Sequence, residues 1–307
     1  MSLKEVKSKI RSIKKIHQVT KAMEAVSAVK MRRSQASAIE ARPYALHAMG
    51  ILRRLVERGS AQTHPLVAQR EEQKKVLIVV VTSDRGLAGT LNSYVLKKVH
   101  SQMKKKGWSK EDVAILAIGK KGFEHFTHRG FAIVDHLERW GEGVALGDPN
   151  KLARRLIQKY LDGEFDRIVL AYSNFVSTFS QEPVVRRVLP VSYGALEDVI
   201  EGIVPKRGKH SELTEMVLGN NGHEYEYEPD ATEVMNELLP ELIGVMLHHA
   251  VLEGNASEHS ARMVAMKSAS DRARDLSKEL TLKFNKERQT SITAEVSEIT
   301  SGIEAMK

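Results

Sequence analysis

Both ends of the chain carry long stretches in which apolar residues recur every three or four positions. In the first stretch they are Leu3, Val6, Ile10, Ile13, Ile16, Val19, Met23 and Val26. In the last stretch they are Ile243, Met246, Ala250, Met263, Met266, Ala273, Leu276, Leu280, Phe284, Ile292, Val296, Ile299 and Ile303. This spacing predicts two long amphipathic helices. We expect the first over residues 1–59, continuing past Pro43 with a kink, and the second within 230–307, with Pro240 at its first helical position.

Each predicted helix has an apolar stripe that must be buried against something. Pairing the two helices as an antiparallel coiled coil buries both stripes at once. Three alanines of the first helix would let the partner approach closely: Ala22, Ala25 and Ala28. The alternative is that both helices pack on the middle of the chain as long surface helices, although such stripes exceed what one domain can cover.

The middle of the chain, residues 74–200, has a different period. Three continuous apolar runs predict strands buried on both faces: 76–81, 113–118 and 167–172. Helical patterns lie between them, at 91–106, 120–129 and 150–161, and a further strand at 184–191 follows Pro183 at a predicted sheet edge. This alternation predicts a central doubly wound, mainly parallel α/β (Rossmann-like) domain. Residues 205–229 are predicted to form a long polar loop.

Charge is concentrated in the first helix. Residues 1–33 contain ten basic and two acidic residues, and their net charge of +8 equals that of the whole chain. Such a helix could bind nucleic acid, anionic lipid or an acidic protein surface, or it could present a solvated face. The helix has no interleaved aromatic residues, so we predict no nucleic-acid partner. The longest apolar run, 76–81, has the length of a strand, so we predict no direct membrane insertion.

The one candidate for ligand chemistry is the turn after the first predicted strand, Thr82–Thr90. It contains glycines and precedes a helix, which is where a doubly wound sheet would bind a phosphate. It lacks the fingerprints of dinucleotide-binding and P-loop proteins. The chain has no cysteine and 12 histidines, and neither the pair His248 and His249 nor the pair His125 and His128 predicts a metal site. We therefore predict no cofactor, no metal and no catalytic residue.

Five segments resemble the gamma subunits of F-type ATP synthases. They are 16–23 (IHQVTKAM), 82–92 (TSDRGLAGTLN), 227–230 (YEPD), 256–266 (ASEHSARMVAM) and 285–293 (NKERQTSIT). The resemblance implies a non-catalytic, peripheral subunit on the cytoplasmic side of a bacterial inner membrane. Such a subunit is a central rotary shaft that couples proton flow through the membrane rotor to ATP synthesis or hydrolysis at the catalytic beta subunits.

The resemblance also implies partners and contact residues. The partners are the hexamer of alpha and beta subunits, the epsilon subunit and the ring of c subunits. Met23 and Arg262 would contact lever segments of the beta subunits, and Arg288, Gln289 and Thr293 would contact a beta-subunit loop. Met23 could instead pack in the helical seam, and Arg288 could lie on a solvated face.

Residues 206–225 match the family least well, so rotor-ring contacts are not assigned there. A nucleotide-binding α/β protein with helical arms is the alternative to the shaft. The turn at Thr82–Thr90 motivates that alternative, and calorimetry with ATP and NAD would test it.

Overall fold

The computed structural model describes residues 3–57, 64–68, 74–140, 147–191 and 230–305. The elements in chain order are α1 Leu3–Glu57, β1 Val76–Val81, α2 Leu91–Lys106, β2 Val113–Ile118, α3 Lys120–His128, β3 Ala132–Leu137, α4 Gly147–Leu161, β4 Arg167–Ser177, β5 Ser180–Leu189 and α5 Ala231–Ala305. The predicted polar loop at 205–229 lies outside the described residues. Both long terminal helices are confirmed, with 55 residues in α1 and 75 in α5.

The strands form a five-stranded sheet in the order β3-β2-β1-β4-β5. β1 pairs in parallel with both β2 and β4, β2 pairs in parallel with β3, and β5 pairs antiparallel with β4. The predicted doubly wound, mainly parallel sheet is therefore confirmed. The predicted strand after Pro183 begins earlier, at Ser180, and lies at the expected edge, where a residue without an N–H is tolerated.

Side chains of β1 alternate between two buried layers, as a strand covered on both faces requires. Leu77, Val79 and Val81 pack in the layer that contains residues of α4 and of the first part of α5. Val76, Ile78 and Val80 pack in the layer that contains residues of α2 and α3. The continuous apolar run of β1 thus supplies both layers of the core.

The contacts of the chain group into two compact units. One contains residues 1–28 and 262–307, and the other contains residues 29–261. We call the described parts of these units the helical pair and the sheet domain. The sequence-based boundaries assigned all of 230–307 to pairing with 1–59, whereas the buried residues Met235–Val251 of α5 belong to the core of the sheet domain. The pairing of 29–59 with 230–261 stays a prediction.

One detail of α5 differs from the prediction. The helix begins at Ala231, so Pro240 lies inside it and not at its first position. A proline inside a helix removes one backbone hydrogen bond. Met235 and Leu239, in the turns before Pro240, are fully buried in the core. Burial of two such side chains is worth roughly 3–6 kcal/mol, which is enough to offset that loss.

Two glycines of α5 provide a stability test of this packing. A Cβ added at Gly244 would lie 1.9 Å from Oδ1 and 3.2 Å from Cα of Asn150, whereas a Cβ at Gly302 would meet no atom within 4 Å. We expect Gly244→Ala to lower the free energy of unfolding of the sheet domain by about 1–3 kcal/mol through overpacking.

Tryptophan fluorescence during denaturant unfolding would measure the change, because Trp108 and Trp140 both pack against cores of the sheet domain. Gly302→Ala is the matched control, and we expect it to leave this transition unchanged. A Gly244→Ala variant as stable as the wild type would show that α5 does not approach α4 this closely.

Candidate interface of the helical pair

The seam of the helical pair is lined by small and polar side chains. On α1 its buried residues are Val6, Thr20 and Ser27; on α5 they are Arg262, Met266, Ser270, Ala273 and Ser277. The steps between them are 14 and 7 residues on α1, and four, three and four residues from Met266 to Ser277 on α5, as in a heptad repeat. Serine, alanine and threonine let two helices approach closely, and apolar residues such as Ile10, Ile13 and Phe284 are partly buried beside them.

A polar contact fixes the register of the pair. Nδ1 of His17 lies 3.0 Å from the carbonyl oxygen of Ser270 and 2.9 Å from its Oγ. His17 thus contacts Ser270 through one ring nitrogen, Nδ1. In an antiparallel pair this contact places Leu3 opposite Phe284. Residues 288–305 of α5 therefore lie beyond the position of Leu3.

For part of α1, the face that the sequence predicted to be buried differs from the face that is buried in the structure. Ile16, Val19 and Val26 were predicted to be buried, but each is more than half exposed. The buried phase instead continues through His17, which is partly buried, to Thr20 and Ser27. The heptad continues with a step of four after Ile13, whereas the apolar pattern took a step of three. Leu276 was also predicted in the seam, yet it is 44% exposed and Ser277 is buried in its place.

An exposed apolar stripe follows the paired part of α5. It consists of Ile292, Val296, Ile299 and Ile303, which are between 52% and 64% exposed. Steps of four, three and four residues put them on one face of the helix. We call these residues the end stripe. Such a face is stable in water only at a cost, so it indicates a surface that another protein covers.

The residues predicted to contact partners fall into two groups. Met23 is partly buried and lies between the exposed Val19 and Val26 on α1, while Arg262 is 8% exposed. The register set by His17 and Ser270 puts Met23 level with residues 262–266 of α5. Seam packing and a partner contact therefore both remain open for Met23.

The other three predicted contact residues lie farther along α5. Arg288, Gln289 and Thr293 are exposed, in the part of the helix beyond Leu3. Oγ1 of Thr293 donates to the backbone carbonyl oxygen of Gln289 at 2.9 Å, a bond within the helix. The structure thus brings Met23 and Arg262 to one level of the pair and these three residues to another.

Two side chains of the turn after β1 bind backbone amides at the start of α3, where a phosphate could otherwise bind. Oδ1 of Asp84 accepts from the backbone N–H of Lys120 at 3.0 Å, and Oγ1 of Thr82 accepts from that of Gly122 at 2.8 Å. Oδ2 of Asp84 also accepts from the N–H of Arg139 at 2.9 Å. A carboxylate at the start of α3 repels the anion that a nucleotide site must attract. These contacts tie together the loops after β1, β2 and β3, which is a structural role.

Two histidines in the sheet domain form a contact that the sequence did not indicate. Nε2 of His100 on α2 lies 3.0 Å from Nε2 of His125 on α3, and the guanidinium of Arg129 lies 3.1 Å from Nδ1 of His125. Burial, with the positive charge of Arg129 adding to it, lowers the pKa of His125 to about 4. Among the residues the structure describes, no three metal-ligating side chains cluster.

Paired helices with an exposed apolar stripe, together with a doubly wound sheet domain, define a protein built for contact with other chains. A family model described as ATP synthase matches residues 2–306. The ATP synthase gamma chain of Roseiflexus castenholzii is 39% identical over 306 residues, which are 99% of this chain and 98% of that protein. The chain therefore belongs to the family of ATP synthase gamma chains.

Solved structures support the same fold. A chain of the mitochondrial ATP synthase of Euglena gracilis, from an assembly of OSCP, F1 and the c-ring, matches with a TM-score of 0.63 and 18% identity over 99% of this chain and 94% of that one. A chain from the central stalk and c-ring of the Tetrahymena thermophila mitochondrial enzyme matches with a TM-score of 0.60 and 22% identity, over 82% and 99% of the two chains.

Spin labels can test the register of the helical pair, because the chain has no cysteine of its own. Ser12 and Leu276 are exposed and lie on neighbouring turns of the two helices in this register. We expect labels on Ser12→Cys and Leu276→Cys to be within about 20 Å, since packed helices are about 8–10 Å apart.

Labels on Ser12→Cys and Ile303→Cys serve as the control. The second label moves 27 residues along α5, so we expect a separation of about 40 Å at 1.5 Å per residue. Equal distances for the two label pairs would contradict the antiparallel register.

Proposed function

We propose that this gamma chain is the central rotary shaft of an F-type ATP synthase, and that its helical pair and end stripe turn inside a hexamer of alpha and beta subunits. The observation that carries the proposal is the end stripe. A single helix with an apolar face has little stability of its own in water, because most helical stability comes from packing. A surrounding sleeve of other subunits supplies that packing.

The two groups of contact residues fit two levels of such a sleeve. Met23 and Arg262, at one level, would meet the levers of the beta subunits, and exposed lysines of α1 near them would attract acidic segments there. Arg288, Gln289 and Thr293 would make polar contacts with a beta-subunit loop nearer the end of α5. Attractions between exposed charges are screened and exchange easily, which suits a surface that must slide.

The proposed role is mechanical and not catalytic. Two backbone amides at the start of α3, after β2, are hydrogen-bonded to side chains of the turn after β1, namely Asp84 and Thr82. ATP chemistry would then occur in the hexamer, and this chain would change the shape of each beta subunit in turn. The position of the end stripe on one face of α5 supports that role, because a rotating shaft must present a different face to each of the surrounding subunits.

The sheet domain is the proposed attachment for the other rotor parts, the epsilon subunit and the ring of c subunits. None of the described helices is long and apolar enough to cross a membrane. We place the protein at the cytoplasmic side of a bacterial inner membrane as a peripheral subunit, where proton flow through the ring would turn it.

The first test is assembly. We expect the purified chain to hydrolyse no ATP by itself and to join alpha and beta subunits as one copy per hexamer, because we propose that the hexamer performs the ATP chemistry. Native mass spectrometry would give the stoichiometry, and a coupled assay would give the hydrolysis rate. Steady ATP hydrolysis by the isolated chain, or failure to join the hexamer, would overturn the proposal.

The second test concerns the end stripe. We expect the double variant Val296→Ser and Ile299→Ser to weaken binding to the alpha–beta hexamer, because burial of each half-exposed side chain is worth roughly 1 kcal/mol or more. The dissociation constant should therefore rise by about ten-fold or more. Fluorescence titration of a labelled shaft against the hexamer would measure it.

The matched control changes the opposite face of the same turns. Ala294→Ser with Ser301→Ala alters two exposed residues that lie about half a turn away from the stripe. We expect this variant to bind like the wild type. Equal losses in both variants would mean that the whole circumference, and not the stripe, makes the contact.

A further inference from the structure

A buried polar face of α5 lies against β4 within the sheet domain. Its residues are His249, Glu253, Ser257 and Ser260, each no more than 3% exposed. Steps of four, four and three residues put them on one side of the helix. Polar side chains are rarely buried without partners, so this face has a specific role in packing.

The face supplies hydrogen bonds that the sheet does not provide. β1 pairs with β4 only as far as Ala171, while β4 continues to Ser177. Within the part of the chain that the structure describes, no strand pairs with β4 on the β1 side beyond Ala171, and the polar groups of this backbone need other partners. Side chains of α5 take the place of the missing strand.

Three bonds join the helix to this part of the chain. The backbone N–H of Phe175 donates to Oε2 of Glu253 at 2.7 Å. Oγ of Ser257 donates to the carbonyl oxygen of Ser173 at 3.0 Å, and Oγ of Ser260 donates to that of Thr178 at 2.6 Å. Each bond ends on a backbone atom, which cannot move without moving the strand or its turn.

Glu253 is the charged member of the face. Its Oε1 lies 3.6 Å from Nε2 of His249. Burial raises the pKa of Tyr172 on β4; the positive charge of Arg186 opposes this rise, and the negative charge of Glu253 adds a smaller part to it. A buried carboxylate costs more than an apolar side chain of the same size, so packing alone does not explain Glu253. Its bond to a backbone N–H is charge-assisted and therefore short and strong.

Hydrogen bonds fix the rotation of a helix about its own axis, which apolar packing alone restrains weakly. A helix on an apolar surface can turn about its own axis by small rotamer changes in its neighbours, whereas bonds to fixed backbone atoms hold one orientation. Gly254 adds a close approach, because a Cβ there would lie 3.1 Å from Cγ1 of Val81. The face therefore sets the rotation of α5 relative to the sheet.

We propose that Glu253, with Ser257 and Ser260, is a torque clamp: a set of positioning residues that stops α5 from turning against the sheet when the sheet domain is driven. The proposal rests on the shaft function proposed above. Torque applied to the sheet domain would enter α5 through these bonds and continue along the same helix. With a weakened clamp, part of each rotation of the sheet domain would twist the sheet against α5 and would not reach the rest of the helix.

Single-molecule rotation tests the clamp. The hexamer is fixed to a surface, and a bead is attached to the sheet domain through Lys106→Cys, at the exposed end of α2. While rotation is stalled at low ATP, the angular variance of the bead reports the twist of the shaft. We expect Glu253→Ala to raise this variance by about two-fold, because it removes the charged bond of the three.

Matched variants separate the clamp from general damage. Glu237→Ala changes an exposed glutamate of the same helix in the same domain, and its variance should equal that of the wild type. Glu253→Gln keeps an acceptor for the Phe175 N–H and should restore most of the stiffness. ATP-driven proton transport per ATP hydrolysed should fall for Glu253→Ala, while unloaded hydrolysis stays the same.

Each outcome of these experiments either supports the torque clamp or contradicts it. A folded Glu253→Ala shaft with wild-type variance overturns the clamp. If that variant does not fold, Ser257→Ala with Ser260→Ala replaces it, and unchanged variance there overturns the clamp as well. If the wild-type chain does not enter the hexamer, the shaft function itself fails, which is a different result from a stiff shaft without a clamp.

Discussion

Everything in this structure depends on how one helix, α5, is buried along its length. Almost every residue from Leu242 to Ser260 is buried, because this part of the helix lies in the core of the sheet domain. From Arg262 onwards the helix buries one stripe only, as part of the helical pair. In its last turns the helix exposes the apolar end stripe. A single helix thus passes from core, to coiled coil, to a surface for other chains.

The seam of the helical pair shows which properties this design favours. Large apolar residues would bury more apolar surface in the seam. They would fix the register weakly, however, since a shift by one heptad keeps them paired. The contact of His17 with both the carbonyl oxygen and Oγ of Ser270 favours one register, because it depends on the position of a polar side chain in each helix. Buried polar contacts of this kind are known to fix register at a cost in stability. Stiffness here comes from close packing of small residues and from register.

The sequence predicted the fold well where a single physical signal dominated. The strands β1 and β2 are continuous apolar runs that need burial on both faces, and their predicted bounds match the structure. β3 was not predicted, because Asp135 and His136 interrupt its pattern and it lies at the edge of the sheet. Residues of an edge strand are only partly buried, so their composition carries a weaker signal.

The candidate interface was harder to predict for a related reason. Apolar residues of α1 follow two phases, and Ile16, Val19 and Val26 belong to the outer one. Periodicity cannot separate a stripe that is buried within the chain from one that other chains bury, since both are apolar. The polar residues that decide the phase, such as His17 and Thr20, look like surface residues in the sequence.

The same ambiguity explains why the torque clamp could not be found in the sequence. Glu253 lies in a helix that contains many charged residues. Its role follows from the lengths of two strands, because β4 extends beyond the last residue that pairs with β1. Strand lengths were predicted only to Tyr172, where the apolar run ends, while β4 continues through polar residues to Ser177. The backbone N–H and C=O groups of a strand that extends beyond its neighbour need other hydrogen-bond partners, and here side chains of α5 provide them. That requirement links the topology of the sheet to the orientation of the helix that leaves it.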